Sequence, residues 1–196
     1  MNIAATFARS ELILGGQRSG KSRRAERLAQ DWLAQSPAHR AVLIATGQPW
    51  DDEMRQRIAR HQQDRAERVP GMTTVEEPLQ LAQAITAHGN AQTLVVVDCL
   101  TLWLTNWLMP AENSEKNKAA AQYPQAPAAM LLEAIESCPG PLVLVGNEIG
   151  LGVIPLGREV RAFVDALGRL NQGVAQACER VTLMAAGLPL TLKGHP

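Results

Sequence analysis

The stretch LILGGQRSGKS near the start of the chain constrains the fold more than any other feature. Gly15, Gly20, Lys21 and Ser22 fit the spacing G-x-x-x-x-G-K-[ST] of a phosphate-binding loop. Such a loop joins a strand to a helix, because its backbone N–H groups turn inward around a phosphate at the positive end of the helix dipole. The apolar run ELIL precedes the loop, and the helix-like run KSRRAERLAQDWLA follows it. The sequence therefore predicts a nucleotide phosphate site between a strand and a helix.

The residue types inside this loop each have a chemical reason. Glycines permit the unusual backbone dihedrals of the loop and let a phosphate approach closely. Lys21 is expected to reach the β- and γ-phosphates, and the Ser22 hydroxyl is expected to ligate Mg²⁺, the cofactor that we predict. A chance glycine-rich turn is the alternative, but it would not need both of these flanks. We therefore expect the whole loop to contact the nucleotide, through Gly15, Gly16, Gln17, Arg18, Ser19, Gly20, Lys21 and Ser22.

Short apolar runs alternate with longer amphipathic runs along the chain. Because the short runs are apolar at consecutive positions, they predict strands that are buried on both faces, as in a parallel sheet. Alternating strands and helices favour an α/β fold of the P-loop NTPase type (RecA-like), with a mainly parallel sheet flanked by helices. The predicted strands cover 11–14, 41–45, 93–97, 141–146 and 180–185, with a weaker one at 72–77, and the predicted helices cover about 21–35, 51–67, 78–88, 127–138 and 158–178.

The length of 196 residues predicts one domain with a substantial core. We expect residues 11–196 to form a single P-loop nucleotide-binding catalytic domain and residues 1–10 to form an N-terminal extension. The stretch 109–127 is polar and contains proline, which predicts a mobile loop.

Charge and hydropathy exclude several classes of partner. The formal net charge is +0, so no overall field attracts nucleic acid or an anionic membrane. No apolar run approaches the roughly 18 residues of a membrane span, and the N-terminus lacks the long apolar core of a signal peptide. The three cysteines form no CxxC pair. They predict reduced, mostly structural thiols in a cytoplasmic protein.

Polar residues follow three of the predicted strands. Asp98 comes directly after the apolar run TLVVV, where a Walker-B carboxylate that ligates the metal belongs, although a helix cap is the alternative. The run AVLIA ends in the tripeptide TGQ at residues 46–48, and VLVG ends in Asn147 and Glu148. Ligands of open α/β sheets bind at the carboxyl ends of the strands, so we expect these polar ends to converge on one site. For the second pair, a turn with satisfied polar side chains remains the alternative.

The stretch DDEMRQRIARHQQDR predicts a charged helix that carries one histidine, His61. Acidic residues in its first turn favour the helix dipole, and Arg57 lies four residues before His61, where it could orient a phosphate. At 100° per residue, one stripe of the helix holds Trp50, Met54, Ile58, His61 and Arg65. This periodicity predicts that the helix runs from the core to a wet site. A half-buried histidine without a catalytic role is the commoner explanation of the pattern alone.

Several segments together resemble one family, the bifunctional adenosylcobinamide kinase/adenosylcobinamide-phosphate guanylyltransferase of cobalamin synthesis. The segments are GGQRSGKSRRAE, IATGQPWDDEMRQRIARHQQDR, TVEEPLQL, VVVDCLTLWLTN, VGNEIGLGVIP and GRLNQGVAQACERVTLMAAGLPLTLK. They occur in the order of the family and cover nearly the whole chain from about residue 11. The phosphate loop alone would be generic, whereas its combination with the histidine segment and with NEIG is far more specific.

The resemblance implies two reactions on one scaffold. In the first, a terminal nucleotide phosphate moves from ATP or GTP onto the aminopropanol hydroxyl of adenosylcobinamide. In the second, GMP moves from GTP onto the new phosphate through a covalent bond to a histidine, which gives adenosyl-GDP-cobinamide and pyrophosphate. The family also implies a homo-oligomer, which we expect to be a trimer.

Site residues follow from the resemblance position by position. His61 matches the histidine that carries GMP, and Ser22 and Asp98 match the metal site. Histidine suits this role chemically, because its imidazole is a good nucleophile when neutral and its phosphoramidate is labile. The further nucleotide-contacting positions implied by the family are Thr46, Gly47, Gln48, Gln62, Gln63, Asp64, Arg65, Glu76 and Asp98.

Two other functions remain open from the residues themselves. One is a P-loop small-molecule kinase without the guanylyltransferase step, and the other is a nucleotide-binding regulatory switch. The chain has no N-K-x-D tetrapeptide of the guanine-specific switch GTPases, which makes the switch less favoured. In LTLWLTNWL, the four-residue spacing places Trp103 and Trp107 on one helix face. Core packing is the first interpretation of this pair, with a corrinoid-facing or subunit-interface role as the alternative.

Overall fold

The structure is a computed structural model that describes residues 7–49, 51–109, 124–153 and 155–195. Seven strands and six helices are assigned in these ranges. The strands are β1 (Ser10–Gly15), β2 (Arg40–Ala45), β3 (Met72–Glu76), β4 (Thr93–Asp98), β5 (Leu142–Val145), β6 (Arg180–Ala185) and β7 (Leu188–Lys193). The helices are α1 (Lys21–Gln35), α2 (Asp52–Arg68), α3 (Leu81–His88), α4 (Leu100–Leu108), α5 (Gln125–Ser137) and α6 (Arg158–Ala177).

All seven strands form one sheet in the order β3-β2-β4-β5-β1-β6-β7. Every neighbouring pair is parallel except β6 and β7, which are antiparallel. Because β1 lies between β5 and β6, the phosphate loop that follows it starts at the carboxyl edge of the sheet. The mainly parallel α/β fold predicted from the alternating apolar runs is therefore confirmed.

The core lies on both faces of the sheet, as the consecutive apolar runs predict. Leu12 and Leu144 point into one cluster, which α3, α4, α5 and α6 cover. Ile13 and Val143 point into the other cluster, which α1 helps to cover. The central strands β1, β4 and β5 are therefore buried at nearly every position, whichever way the side chain points.

Helix α4 is absent from the predicted set, although it starts directly after β4. Five of its nine residues are buried, so it shows no clear polar face from which an amphipathic period could be detected. The prediction that Trp103 packs in the core is confirmed, because its side chain is 1% exposed and its Nε1 donates to the Leu79 carbonyl oxygen at 2.9 Å. Trp107 packs partly buried against the same cluster.

Strand β7 is also absent from the prediction. It follows β6 through a two-residue turn, Ala186 and Gly187, whose φ angles of 52° and 80° are both positive. Paired positive angles are typical of the tight turns that match the twist of a hairpin. Pro189 argues against a strand in sequence, but β7 is an edge strand, where a missing N–H donor is tolerated.

Two predicted boundaries shift. Helix α5 begins at Gln125, so the predicted loop 109–127 is too long at its carboxyl end, and its part 110–123 lies outside the described residues. Residues 1–6 of the predicted N-terminal extension also lie outside them. Ser10 is already part of β1, and the Arg9 backbone N–H donates to a Glu179 carboxylate oxygen at 2.8 Å. None of the described helices has the length and hydrophobicity needed to cross a membrane.

Candidate active site

The phosphate loop has the backbone that its glycines predict. Gly15 has a φ of 155°, and a Cβ there would lie 2.5 Å from the Ser19 Oγ, so a side chain at this position would collide with the loop itself. Gly20 has a φ of 100° and leads directly into α1. The buried Lys21 ammonium donates to the Gly16 carbonyl oxygen at 2.6 Å. This bond folds the lysine back along the loop, towards the place where a phosphate would sit.

Neighbouring segments hold the loop from two sides. The Glu148 backbone N–H, just after β5, donates to the Gly15 carbonyl oxygen at 3.1 Å. The Gly187 N–H, in the turn of the β6–β7 hairpin, donates to the Ser19 carbonyl oxygen at 3.1 Å. These bonds engage the Gly15 and Ser19 carbonyl oxygens and attach the loop to the segments that follow β5 and β6.

Ser19 carries a buried hydroxyl that lacks a hydrogen-bond partner within the described part of the chain. Leaving a buried hydroxyl unpaired is costly, and such groups in native proteins call for an explanation. Ser19 lies in the middle of the loop and lines the cleft described next. A phosphate oxygen in the cleft would provide the missing partner.

A cleft of about 910 Å³ extends from the phosphate loop to helix α2, which is large enough for a nucleoside triphosphate. It unites residues that are far apart in sequence, including the loop, the ends of β2 and β4, and the histidine of α2. The predicted site residues that line it are Gln17, Arg18, Ser19, Gly20, Lys21, Ser22, Gly47, His61, Gln62, Asp64, Arg65, Glu76 and Asp98.

Helix α2 brings His61 to this cleft. Asp51 caps the helix by accepting a hydrogen bond from the Met54 N–H at 2.7 Å. The prediction that the apolar stripe packs into the core is wrong, because Met54 and Ile58 are only half-buried and line the cleft. No α2 side chain that the structure describes is buried, and His61 is exposed. Trp50 and the Arg57 side chain lie outside the described residues.

Polar contacts attach the last turns of α2 to the rest of the domain. Arg68 forms an ion pair with the buried Glu26 of α1 at 3.1 Å and with Asp64 at 3.2 Å. Burial lowers the pKa of the Arg65 guanidinium, while the charges of Asp98 and Glu26 raise it. Arg65 therefore stands near two carboxylates of the cleft and keeps its positive charge there.

Asp98 ends β4 and lines the cleft. The alternative role of a helix cap does not fit, because Cys99 is the N-cap of α4 and its Sγ accepts from the Leu102 N–H at 3.5 Å. Asp98 and the Ser22 hydroxyl are hard oxygen donors in the same cleft, which suits Mg²⁺. Among the described residues, no group of three or more His, Cys, Asp or Glu could hold a metal by itself. The donors present therefore fit an ion that takes its remaining ligands from nucleotide phosphates and water.

Five predicted nucleotide contacts do not line the cleft, namely Gly15 and Gly16 of the phosphate loop and three residues outside it. Thr46 is fully buried, and its hydroxyl donates to the Cys99 carbonyl oxygen at 2.7 Å and accepts from the Cys99 N–H at 2.9 Å. Gln63 lies beyond His61 on α2 and donates to Glu67 at 3.4 Å, and Gln48 also lies outside the lining. In this structure Thr46 joins β2 to the start of α4, and a direct nucleotide contact by these three residues stays a prediction.

A second cavity of about 400 Å³ lies beside the same loop. Gln17, Arg18 and Ser19 line both cavities. Asn147, next to Glu148, lines the main cleft. The sequence does not predict this cavity, because part of its wall comes from the carboxyl end of β6 and no local pattern shows that β6 lies beside β1 and the phosphate loop. Its lining comprises Gly16, Gln17, Arg18, Ser19, Glu148, Leu151, Leu183, Met184, Ala185 and Ala186.

A family model described as cobinamide kinase / cobinamide phosphate guanyltransferase matches residues 11–192. The chain belongs to this family. Its fold also resembles a solved structure of a protein from Pyrococcus horikoshii OT3, with a TM-score of 0.50 at 8% identity over 97% of this chain and 89% of the other. At such low identity this likeness supports the fold alone.

Curated members of the cobinamide kinase/guanyltransferase family are similar over nearly their full length. The bifunctional adenosylcobalamin biosynthesis protein CobP of Pseudomonas aeruginosa is 48% identical over 190 residues, which cover 95% of this chain and 98% of that protein. The bifunctional adenosylcobalamin biosynthesis protein CobU of Escherichia coli K12 is 37% identical, over 93% of this chain and 98% of the other. The chain is thus a cobinamide kinase and cobinamide phosphate guanylyltransferase, as its motifs predict.

Proposed function

We propose that the chain phosphorylates the aminopropanol hydroxyl of adenosylcobinamide with ATP or GTP, and then transfers GMP from GTP to that phosphate through a covalent bond to His61. The products of the second step are adenosyl-GDP-cobinamide and pyrophosphate. The observation that carries the proposal is the common cleft, which His61 and the phosphate loop both line. One bound triphosphate could therefore contact the loop and present a phosphorus atom to the histidine.

In the kinase step, the acceptor hydroxyl oxygen bonds to the γ-phosphorus while the bond from this phosphorus to the β–γ bridging oxygen breaks. Lys21 and the loop N–H groups stabilise the negative charge on the phosphate oxygens. The Ser19 hydroxyl, which lacks a partner among the described residues, gains a phosphate acceptor. Ser22 and Asp98 would hold Mg²⁺, which neutralises phosphate charge when bound.

In the guanylyl step, a ring nitrogen of His61 attacks the α-phosphorus of GTP, and the bond to the α–β bridging oxygen breaks. Pyrophosphate leaves, and GMP stays on the histidine as a phosphoramidate. A phosphate oxygen of the corrinoid then attacks the same phosphorus, and the bond to the histidine nitrogen breaks. A phosphate monoester is a weak nucleophile, so an activated GMP donor divides one hard displacement into two easier ones.

The guanine end of the nucleotide would lie against α2 and the end of β3. Glu76, the last residue of β3, accepts a hydrogen bond from the Gln62 side-chain amide at 3.3 Å, and both residues line the cleft. Two adjacent N–H donors on the guanine edge match a carboxylate, whereas the adenine edge carries only one exocyclic amino group. This match supports Glu76 as a guanine contact and Gln62 as the residue that orients it.

We also propose that the enzyme works in the cytoplasm as a homo-oligomer, namely a trimer. Three large apolar side chains on the edge strand, Leu188, Leu190 and Leu192, are 70%, 56% and 56% exposed, which suits a covered surface. The three cysteines are free and buried, which agrees with a reducing compartment. Sedimentation analysis at several protein concentrations would measure the oligomeric state.

The decisive experiment is labelling with α-³²P-GTP. The wild-type protein is expected to acquire label that is labile in acid and stable in base, as a phosphoramidate is. His61→Ala should acquire none but should keep its kinase activity with adenosylcobinamide. His195→Ala is the matched control, because His195 is exposed and lies outside both cavities.

The outcomes separate the three candidate functions. An unlabelled wild-type protein that still phosphorylates adenosylcobinamide would be a kinase alone. A protein with neither transfer and only slow nucleotide hydrolysis would be a regulatory switch. Labelling that survives in His61→Ala would place the covalent intermediate on another residue.

A further inference from the structure

The phosphate loop has two open sides, and the main cleft occupies only one of them. The second cavity adjoins the loop at Gln17, Arg18 and Ser19, so a molecule bound there would lie next to the same phosphates. His61 does not line this cavity, and the guanylyl chemistry leaves it without a role. The question is which molecule needs access to the phosphates from this side.

Glu148 is the carboxylate of the second cavity, and the structure fixes its position. Its backbone N–H donates to Gly15 at 3.1 Å, and one side-chain oxygen accepts from the Gly150 N–H at 2.8 Å. The preceding Asn147 N–H donates to the Thr101 hydroxyl at 2.9 Å, which attaches this loop to α4. A Cβ at Gly150 would lie 3.1 Å from the carboxylate oxygen, so a glycine there leaves the carboxylate room. The carboxylate is therefore held beside the phosphate loop with acceptor capacity to spare.

One lining residue of the second cavity, Leu151, belongs to an exposed segment with further apolar side chains. Leu151 lines the cavity and is 79% exposed. Val153 and Leu156, further along the same segment, are each 97% exposed. We call these three side chains the apolar rim. Exposed large apolar side chains in a segment that lines a cavity suit the binding of an apolar surface.

The acceptor of the kinase step has the matching chemistry. A corrinoid is a large ring with methyl groups and amide arms along its edge, and one arm ends in the aminopropanol hydroxyl. The ring needs an apolar surface, the hydroxyl needs a proton acceptor, and the reacting oxygen must come close to the γ-phosphate. The apolar rim would provide the apolar surface, the Glu148 carboxylate would accept the proton, and the loop residues Gln17, Arg18 and Ser19 would bring the acceptor next to the phosphates.

We propose that the second cavity is the acceptor subsite of the kinase step, in which Glu148 receives the proton of the aminopropanol hydroxyl and the apolar rim packs against the corrin ring. This inference rests on the proposed function. As the hydroxyl oxygen bonds to the γ-phosphorus, its proton passes to the Glu148 carboxylate, and the nucleoside diphosphate leaves with the bridging oxygen. The carboxylic acid then returns the proton to solvent.

Two substitutions test the two parts of the subsite. In Glu148→Gln the side chain keeps its shape and can still hydrogen-bond, but it cannot take a proton, so kcat of the kinase step should fall at least about tenfold with KM for adenosylcobinamide little changed. Leu151→Ala removes apolar contact, so KM should rise about tenfold with kcat nearly intact. Glu159→Gln, an exposed position in the first turn of α6 outside both cavities, is the matched control.

Labelling of His61 by α-³²P-GTP is measured on the same variants, together with thermal unfolding. The acceptor is needed neither for folding nor for the reaction of GTP with His61. The labelling rate and the unfolding temperature should therefore stay near the wild-type values. If the wild-type protein is an active kinase and both variants match Glu159→Gln, the acceptor lies elsewhere and the inference is overturned. Equal loss of labelling and kinase activity in Glu148→Gln would overturn it too, because the residue would then support the loop rather than the acceptor. A wild-type protein without kinase activity would instead refute the proposed function.

Discussion

The phosphate loop and helix α2 line the same cleft but differ in how firmly the rest of the domain holds them. The loop follows a fully buried strand, and Glu148 and Gly187 bond to its carbonyl groups from two sides. Helix α2 contributes no buried side chain from its described residues, and its last turns are joined to α1 through Arg68 and Glu26. An ion pair with a half-exposed arginine stabilises little, whereas a fully buried strand is costly to disturb.

The difference matches the demands of the two reactions. In the proposed mechanism, both steps need the triphosphate in a fixed place, which the loop would provide. Only the guanylyl step would use His61, which would first meet GTP and then leave room for the corrinoid phosphate. A helix with few buried contacts opens at a lower free energy than a buried strand. We therefore expect changes in the loop to affect both activities and changes in α2 to affect the guanylyl step alone.

The largest expected effect is that of Lys21→Ala. Removing this cation should lower both the kinase rate and the labelling of His61 by about 10²–10³-fold, since one preorganised charge contributes about that much. Initial rates with γ- and α-labelled GTP measure the two steps. Arg27→Ala, on the exposed side of α1 outside both cavities, is the control. Full kinase activity in Lys21→Ala would refute the phosphate-loop assignment and, with it, the expected difference between the loop and α2.

Thiol reactivity should show nearly as large a contrast. Burial raises the pKa of Cys99 to about 12, and burial also raises the pKa of Cys178 to about 12. Both therefore stay protonated at pH 8, whereas a new cysteine at the exposed position 66 of α2 (Ala66→Cys) should ionise normally.

We expect iodoacetamide to modify Ala66→Cys at least roughly a hundredfold faster than Cys99 in the native protein at pH 8, as followed by peptide mass spectrometry. Raising the pH to about 9.5 should accelerate the α2 site and leave Cys99 slow, because the pH would still lie below its raised pKa. Unfolding in urea provides the control in which all sites react. Comparable native rates would mean that the core beneath the cleft is as open as α2.

The smallest expected effect is that of Arg68→Ala. The substitution removes the ion pair with Glu26, so α2 should hold His61 less well in the cleft. The rate of His61 labelling should fall a few-fold, and the kinase rate should stay within about twofold, because the Arg68 side chain is 48% exposed and solvent weakens its pairing with Glu26. Both rates come from the assay used for Lys21. A kinase loss as large as the labelling loss would show that α2 and the loop are not separable.

Local patterns in the sequence predict most of the fold. The phosphate loop needs glycines at fixed positions, and buried parallel strands need consecutive apolar residues, so both are readable without the structure. Helix α4 is not readable in this way, because burial on most sides removes its amphipathic period. Strand β7 is hidden by Pro189, which only its position at the sheet edge makes acceptable.

The site is predicted less completely than the fold. The motifs name His61 and Lys21, but only the packing of α2 over the carboxyl edge of the sheet places both in one cleft. For Thr46, the motif predicts a nucleotide contact, but in the structure its hydroxyl bonds to the Cys99 backbone and does not line the cleft. Glu148 gains its position from a backbone bond to Gly15, across 133 residues of sequence, which no local pattern predicts.

The position of β1 in the sheet also sets the order in which the enzyme becomes active during synthesis. The phosphate loop is translated early, but β1 pairs with β5 and β6, which end at Val145 and Ala185. The hydrogen bond from Gly187 arrives later still. A ribosome-bound chain that stops short of these residues therefore carries the complete nucleotide motif without the neighbours that give it shape, and nucleotide binding by the nascent protein must await the last part of translation.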